Sequence, residues 1–236
     1  MRLTNFFRKI SIILVISFLM AGCAANRQPH IALDTNQLAD TNKVFGVLVQ
    51  YPEKAATTHI YGASCLLCYG VAAAMTSKLD DHLESQVSTE ELASLKDLVF
   101  TRYFEKATNK DNVYWVELNG RLDNLPKFKK TQGYANRDFR SLRGKLGVDV
   151  LVVLQVDEHG AFRSFSGYIP NGDPKGYIKG TLYAVDLRSN AYVHYLPFSQ
   201  YVQPEGYWDE PPTFPSVTTS YYQAVENIKM QIEKNL

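Results

Sequence analysis

The sequence is poor in cysteine, with three in 236 residues, and in tryptophan, with two. Three cysteines are too few for a disulfide-stapled scaffold, so a fold has to rest on an apolar core. Neither sign of charge is in excess: 25 Lys and Arg stand against 24 Asp and Glu, a formal net charge of +1 with no basic run. Nucleic acid is therefore not indicated as a partner. No apolar run reaches the roughly 18 residues of a membrane helix. Missing too are the G-x-S-x-G elbow, the G-x-x-x-x-G-K-[ST] phosphate loop, G-x-G-x-x-G and H-E-x-x-H. The histidines His30, His59, His82, His159 and His194 are scattered. Asp80-Asp81 and Glu90-Glu91 are adjacent acids, whereas catalytic carboxylates stand opposed across a cleft. The expectation is a non-enzymatic protein with no catalytic residue, no metal and no cofactor.

The N-terminus is the most specific segment. Arg2, Arg8 and Lys9 precede an apolar stretch from Ile10 to Leu19, followed by Leu19-Met20-Ala21-Gly22-Cys23. A basic start, a short apolar stretch and small residues before a cut site make a secretory signal peptide over residues 1–22. The last five residues resemble the lipobox of bacterial lipoproteins. That resemblance implies acylation of Cys23 and a membrane anchor built of two or three acyl chains, enough for stable attachment. Ala24 stands where inner-membrane retention would ask for Asp, so the resemblance implies the periplasmic face of the outer membrane. Removing the three basic leader residues takes the formal balance from +1 to −2. Residues 23–41 are polar and aperiodic and read as a flexible tether to a globular domain over 42–236.

Within that domain Lys43–Tyr51 alternates and reads as a strand. Ser88-Thr89-Glu90-Glu91 reads as a capping box opening a helix, with Leu92, Leu95, Val99 and Tyr103 at helical spacing. Asn112–Leu118 is a second strand. Asn136 is placed to cap a short helix carrying Phe139, Leu142 and Leu146, with Gly147 at its left-handed end. Asp149–Val156 is almost continuously apolar and predicts a central strand buried on both faces. Tyr177–Leu187 and Ala191–Leu196 flank a tight turn and predict a hairpin. A closing helix from Ser216 carries Val217, Tyr221, Val225, Ile228 and Ile232. The order β-α-β-α-β-β-β-α predicts an α/β single domain, a mixed sheet of about five strands flanked by helices.

Two short signatures follow from this order. One is Leu146-Gly147-Val148-Asp149-Val150-Leu151; the other is Ala184-Val185-Asp186-Leu187-Arg188-Ser189-Asn190-Ala191. Together they resemble a group of bacterial envelope proteins that includes the N-terminal domain of TolB, the curli secretion lipoprotein CsgG, the synthase activator LpoB and the polysaccharide-export lipoprotein PelC. The resemblance implies protein binding or assembly rather than catalysis. Asn190 stands where Gly is usual in the hairpin turn, and Asn also tolerates a positive φ.

An apolar insertion, residues 57–87, follows the first strand. Its heart, Gly62–Met75, is rich in small and apolar residues and too short to span a bilayer as a helix. Packing on the core, a self-association or partner surface, and insertion into the outer membrane stay open; the Ala72-Ala73-Ala74 run lacks the alternation of a spanning hairpin. Cys65 and Cys68 form C-x-x-C, which in an oxidising compartment suggests a small disulfide, with thiol redox chemistry or metal as alternatives. Two Gly/Pro-rich loops, residues 167–176 and 203–215, are flanked by aromatics. Leu66, Leu67, Tyr69, Phe165, Tyr168, Tyr207 and Trp208 are the candidate partner-binding residues. The sequence thus predicts a lipoprotein of the outer membrane that binds envelope proteins. Alternatives are a homo-oligomeric subunit of a secretion or polysaccharide-export apparatus and a C-x-x-C thiol oxidoreductase.

Overall fold

In the computed structural model, residues 28–52, 55–87, 90–129 and 131–236 are described. The leader, Cys23 and the cap at Ser88 lie outside them. β4 (Val150–Ser166) is the organising strand. It begins where the apolar run predicts it but continues for 17 residues. β1 (Phe45–Gln50) lies parallel to its first half, with Phe45 opposite Val150, and β2 (Thr57–Tyr61) lies parallel to its second half, with Thr57 opposite Gly160. The two strands share one edge of β4. β6 (Lys175–Asp186) runs antiparallel along the other edge, and β7 (Tyr192–Val202) continues the sheet outward. β3 (Val113–Trp115) pairs with β1, and the two-residue β5 (Ile169–Pro170) folds back on the end of β4. Among the described residues seven strands thus stand where about five were expected, in a mixed sheet of parallel and antiparallel pairs.

Five helices flank the sheet among the described residues: α1 (Thr35–Ala39), α2 (Leu66–Gln86), α3 (Glu90–Lys106), α4 (Leu142–Leu146) and α5 (Pro215–Asn235). α3 buries Leu92, Leu95, Val99 and Tyr103, and α5 buries Val217, Tyr221, Val225, Ile228 and Ile232, the apolar stripes read from spacing. Both helices cover one sheet face over Val47, Val150, Val152 and Leu154. The opposite face, Leu151, Val153, Tyr183 and Val185, is covered by the segment carrying Leu122, Phe139 and Leu142.

Three expectations are corrected. Residues 57–61, read as the start of an insertion after the first strand, form β2, a β-branched and aromatic run seated in the sheet itself. Residues 28–39 are not a free tether, since Ile31 bridges Tyr195, Asp34 caps α1 and Leu38 is buried in the main core. Asn136 caps no helix; α4 opens at Ser141 without a side-chain cap, and Asn136 instead accepts the Phe128 N–H through its backbone carbonyl. Gly147 does end α4 in the left-handed region, at φ 68°.

The two signature aspartates lie at the start of β4 and the end of β6. Asp149 accepts from Val44 N (3.3 Å) and from Arg143 Nη2 (2.7 Å). Asp186 accepts from the Arg188 and Ser189 amides (3.0 and 2.9 Å) and from Lys43 Nζ (3.1 Å). Burial pushes both carboxyls up, and these hydrogen bonds outweigh it and hold them below the usual carboxylate range. They fix turns.

Candidate functional site

The far end of β4 is built differently from the rest of the molecule. Tyr61 pairs with Ser164, and the chain then passes Gly62 at φ +80°. A Cβ at Gly62 would sit 2.1 Å from the Phe165 carbonyl oxygen, so only glycine lets the chain pass this close. Cys65 then N-caps α2, its Sγ accepting the Cys68 N–H at 2.9 Å, and is joined to Cys68 by a disulfide. The turn between β4 and β5 lies against that disulfide: a Cβ at Gly167 would be 3.9 Å from Cys68 Sγ. The start of α2 and the β4–β5 turn therefore form one tip.

The tip is apolar and open. Leu66 is 91 % exposed, Leu67 77 %, Tyr168 60 %, Ile169 57 % and Tyr69 53 %. The buried stripe of α2 begins only at Ala72 and continues through Thr76, Leu79 and Leu83, so the first turn overhangs the sheet. Asp80 holds the helix in this position, accepting from Thr58 N (2.6 Å), Thr57 Oγ1 (3.2 Å) and Thr76 Oγ1 (3.1 Å). All five side chains are more than half exposed, and large apolar side chains gathered on a surface mark an interaction site.

Of the seven candidate residues, the structure brings Leu66, Leu67, Tyr69 and Tyr168 together here, with Ile169. Tyr207 is exposed but lies in the second loop. Phe165 and Trp208 are corrected. Phe165 is buried because it points to the helix-covered face of β4, two residues on from Arg163. Trp208 is half-buried over the Arg163 guanidinium, 4.6 Å from its centroid, and Phe165 lies 5.6 Å away on the same cation. Arg163 Nε also donates to Gly172 O (3.1 Å), so this trio fastens both loops to the fold. A Cys65–Cys68 disulfide is present.

Sequence reasoning missed a second cluster, on the half of the sheet face that the Leu122–Phe139 segment leaves uncovered. Glu158 accepts from Tyr61 Oη (2.7 Å), Tyr177 Oη (2.8 Å) and Lys179 Nζ (3.3 Å), with His59 Nδ1 at 3.7 Å. Burial pushes the Glu158 carboxyl up, and those donors outweigh it and hold it low; burial pushes His59 down. An anionic carboxylate beside a neutral imidazole results at neutral pH. Oε2 of Glu158 takes both tyrosine hydroxyls and Oε1 takes the Lys179 ammonium, so three of its roughly four acceptor sites are filled by the fold itself. Tyr61, Phe162, Tyr177 and Tyr201 pack around it with centroids 4.8–5.1 Å apart in successive contacts where these rings touch closest. The pairing of Glu158 with Lys179 across β4 and β6 is the signal that register, once known, would have given. A cleft of about 360 Å³ opens beside the cluster, lined by His59, His159, Arg121, Asp123 and Asp157. Among the described residues no three His, Cys, Asp or Glu side chains converge as a metal site, and no helix is long and apolar enough to cross a membrane.

No protein-family model matches the chain, and no curated protein matches its sequence. Among solved structures it is similar to a Xanthomonas campestris protein of the DUF330 family, at 10 % identity over 80 % of each chain with a TM-score of 0.38. It is also similar to the PelC dodecamer from Paraburkholderia phytofirmans, at 9 % identity over 84 % of this chain and 92 % of that one, TM-score 0.29. A third is the lipoprotein GNA1162 from Neisseria meningitidis, at 12 % identity over 80 % of this chain and 98 % of that one, TM-score 0.26. At these TM-scores the likenesses assign neither an activity nor an assembly to this chain.

Proposed function

We propose that this protein is a non-enzymatic lipoprotein, anchored through Cys23 to the periplasmic face of the outer membrane, that docks a partner protein of the envelope on the tip formed by Leu66, Leu67, Tyr69, Tyr168 and Ile169. The exposed apolar tip carries the reading. An apolar patch of this size, held on a rigid strand end and an N-capped helix, is costly in water and calls for a cover.

The path of the chain indicates what does not cover it. Ile31 lies beside Tyr195 in the first half of β7, the end of the sheet near the start of β4. Tyr195 is level with Val153 of β4 through Tyr183, and the tip is at the other end of that strand, roughly 40 Å away at ~3.3 Å per residue. Residues 24–30 extend at most about 25 Å. An acyl anchor at Cys23 therefore cannot itself reach the tip, which favours a protein surface over the anchor's own acyl chains as the cover.

The test compares wild type with Leu66→Ser/Leu67→Ser and with Cys23→Ala in intact cells. Expected are an unchanged thermal midpoint and loss of the co-purifying partner for the double leucine variant, and release from the membrane fraction for Cys23→Ala. Retention of the partner by the leucine variant would overturn the docking assignment. A captured adduct of twice the chain's mass would identify the partner as a second copy.

A further inference from the structure

The Cys65–Cys68 disulfide sits at the centre of the apolar tip, and its placement fits reaction better than reinforcement. It joins residues three apart at the start of one helix, so it closes a very short loop and removes little chain entropy from the unfolded state. It is also on the outside: Cys65 is exposed, and Cys68 is half-buried beside Gly167. Leu66 and Leu67, between the cysteines, are the two most exposed apolar side chains of the tip. A polypeptide covering those leucines is brought beside the exposed Cys65.

We propose that Cys65–Cys68 is an exchange site, at which a cysteine thiol of the docked polypeptide forms a mixed disulfide with Cys65. The partner thiolate attacks Sγ of Cys65, the more exposed of the two residues. The new S–S bond joins the partner to Cys65, the Cys65–Cys68 bond breaks, and the electron pair leaves on Cys68 as a thiolate. One disulfide is exchanged for another, so no external oxidant or reductant is consumed. Release is the reverse: the Cys68 thiolate attacks Cys65 Sγ, and the partner departs as a thiolate. The start of the 21-residue α2 supports both directions, because its first amides lack intrahelical acceptors and favour negative charge on sulfur. The Cys68 N–H points at Cys65 Sγ, 2.9 Å away, and holds the attacked sulfur in place, while the leaving charge forms on Cys68 within the first turn of the helix. The result is a reversible covalent latch on a site that otherwise binds by apolar contact.

This inference rests on the docking reading, and the experiment separates the two. The full chain is purified in mild detergent, and glutathione serves as the probe, with adducts located by peptide mass. Reduced glutathione is expected to open the disulfide of the native wild type without denaturant. In Cys68→Ser, oxidised glutathione is expected to label Cys65 at least tenfold faster than it labels Cys68 in Cys65→Ser. A disulfide that resists glutathione until urea unfolds the protein, or equal labelling rates, would overturn the proposal. Cross-linking in cells then tests docking apart from exchange. In Cys65→Ser/Cys68→Ser, the non-covalent partner contact is expected to persist while the adduct on non-reducing gels disappears. An adduct that survives in this double variant would place the exchange elsewhere and refute the latch.

Discussion

Replacing Asn190 by glycine tests what the hairpin turn is for. Asn190 sits at φ 65°, where glycine is the least strained residue, so a role confined to the turn predicts that Asn190→Gly is neutral or stabilising. The side chain is fully buried, however, and knits the turn to the segment covering the second sheet face. Its Oδ1 accepts from Phe139 N at 2.8 Å, and its Nδ2 donates to Ala135 O at 3.1 Å and Arg137 O at 2.9 Å. Glycine leaves one buried N–H and two carbonyls without these partners, at about 1–3 kcal/mol for each group that stays unsatisfied. Relief of the left-handed backbone offsets about 1 kcal/mol. The net expectation is a loss of at least about 2 kcal/mol, a midpoint lower by about 5 °C or more for a domain of this size. Asn190→Ala forgoes the backbone relief and should cost about 1 kcal/mol more. Urea unfolding of both variants at pH 7.5 measures the order. A glycine variant as stable as wild type would refute the argument that the side chain, and not the turn, is the reason for Asn here.

Further expectations concern stability and the tip. Burial, with the nearby charge of His59, pushes His159 down to about 4, and burial with His30 does the same to His194. The unfolded chain binds the extra protons between pH 6.5 and 4, so stability is greatest above pH 6.5 and falls as the pH drops through that window. About 2 kcal/mol per histidine should be lost by pH 5; urea midpoints at pH 7.5 and 5 check this, and His159→Gln/His194→Gln should flatten the slope. Gly176→Ala places a Cβ 2.1 Å from the Ser220 backbone of α5 and should cost about 3 kcal/mol or more, read by calorimetry. Trp208→Ala removes the cover of Arg163 and should cost about 1–3 kcal/mol and increase proteolysis within residues 203–215; unchanged cleavage would contradict the clasp.

How much of this was legible in the sequence differs by element. β4 announced itself because burial on both faces demands an unbroken apolar run, and α3 and α5 because their stripes are regular. β2 was hidden, since Thr57, Thr58 and His59 supply no apolar alternation; Thr58 is buried and its amide is met by Asp80 from α2, a partner no local pattern reveals. The tip was half legible. Leu66, Leu67, Tyr69 and Tyr168 stood out as apolar residues among turn formers, but Phe165 and Trp208 looked equivalent to them. What separates them is strand parity: Phe165 shares a face with Ala161 and Arg163 once β4 is known to run to Ser166. Asn190 was read as a tolerated substitute for glycine, and its buried hydrogen bonds, made to a segment some 50 residues earlier, lie beyond any local reading.

The central claim, that the tip is the docking surface, is tested most directly by photo-cross-linking from single positions in intact cells. A photoreactive phenylalanine analogue is placed in turn at residues 67, 168 and 230, the last being an exposed methionine on α5. The predicted result is one discrete protein adduct from positions 67 and 168, none from 230, and its loss in the Leu66→Ser/Tyr69→Ser background. No adduct from the tip, or equal labelling from all three positions, would contradict it.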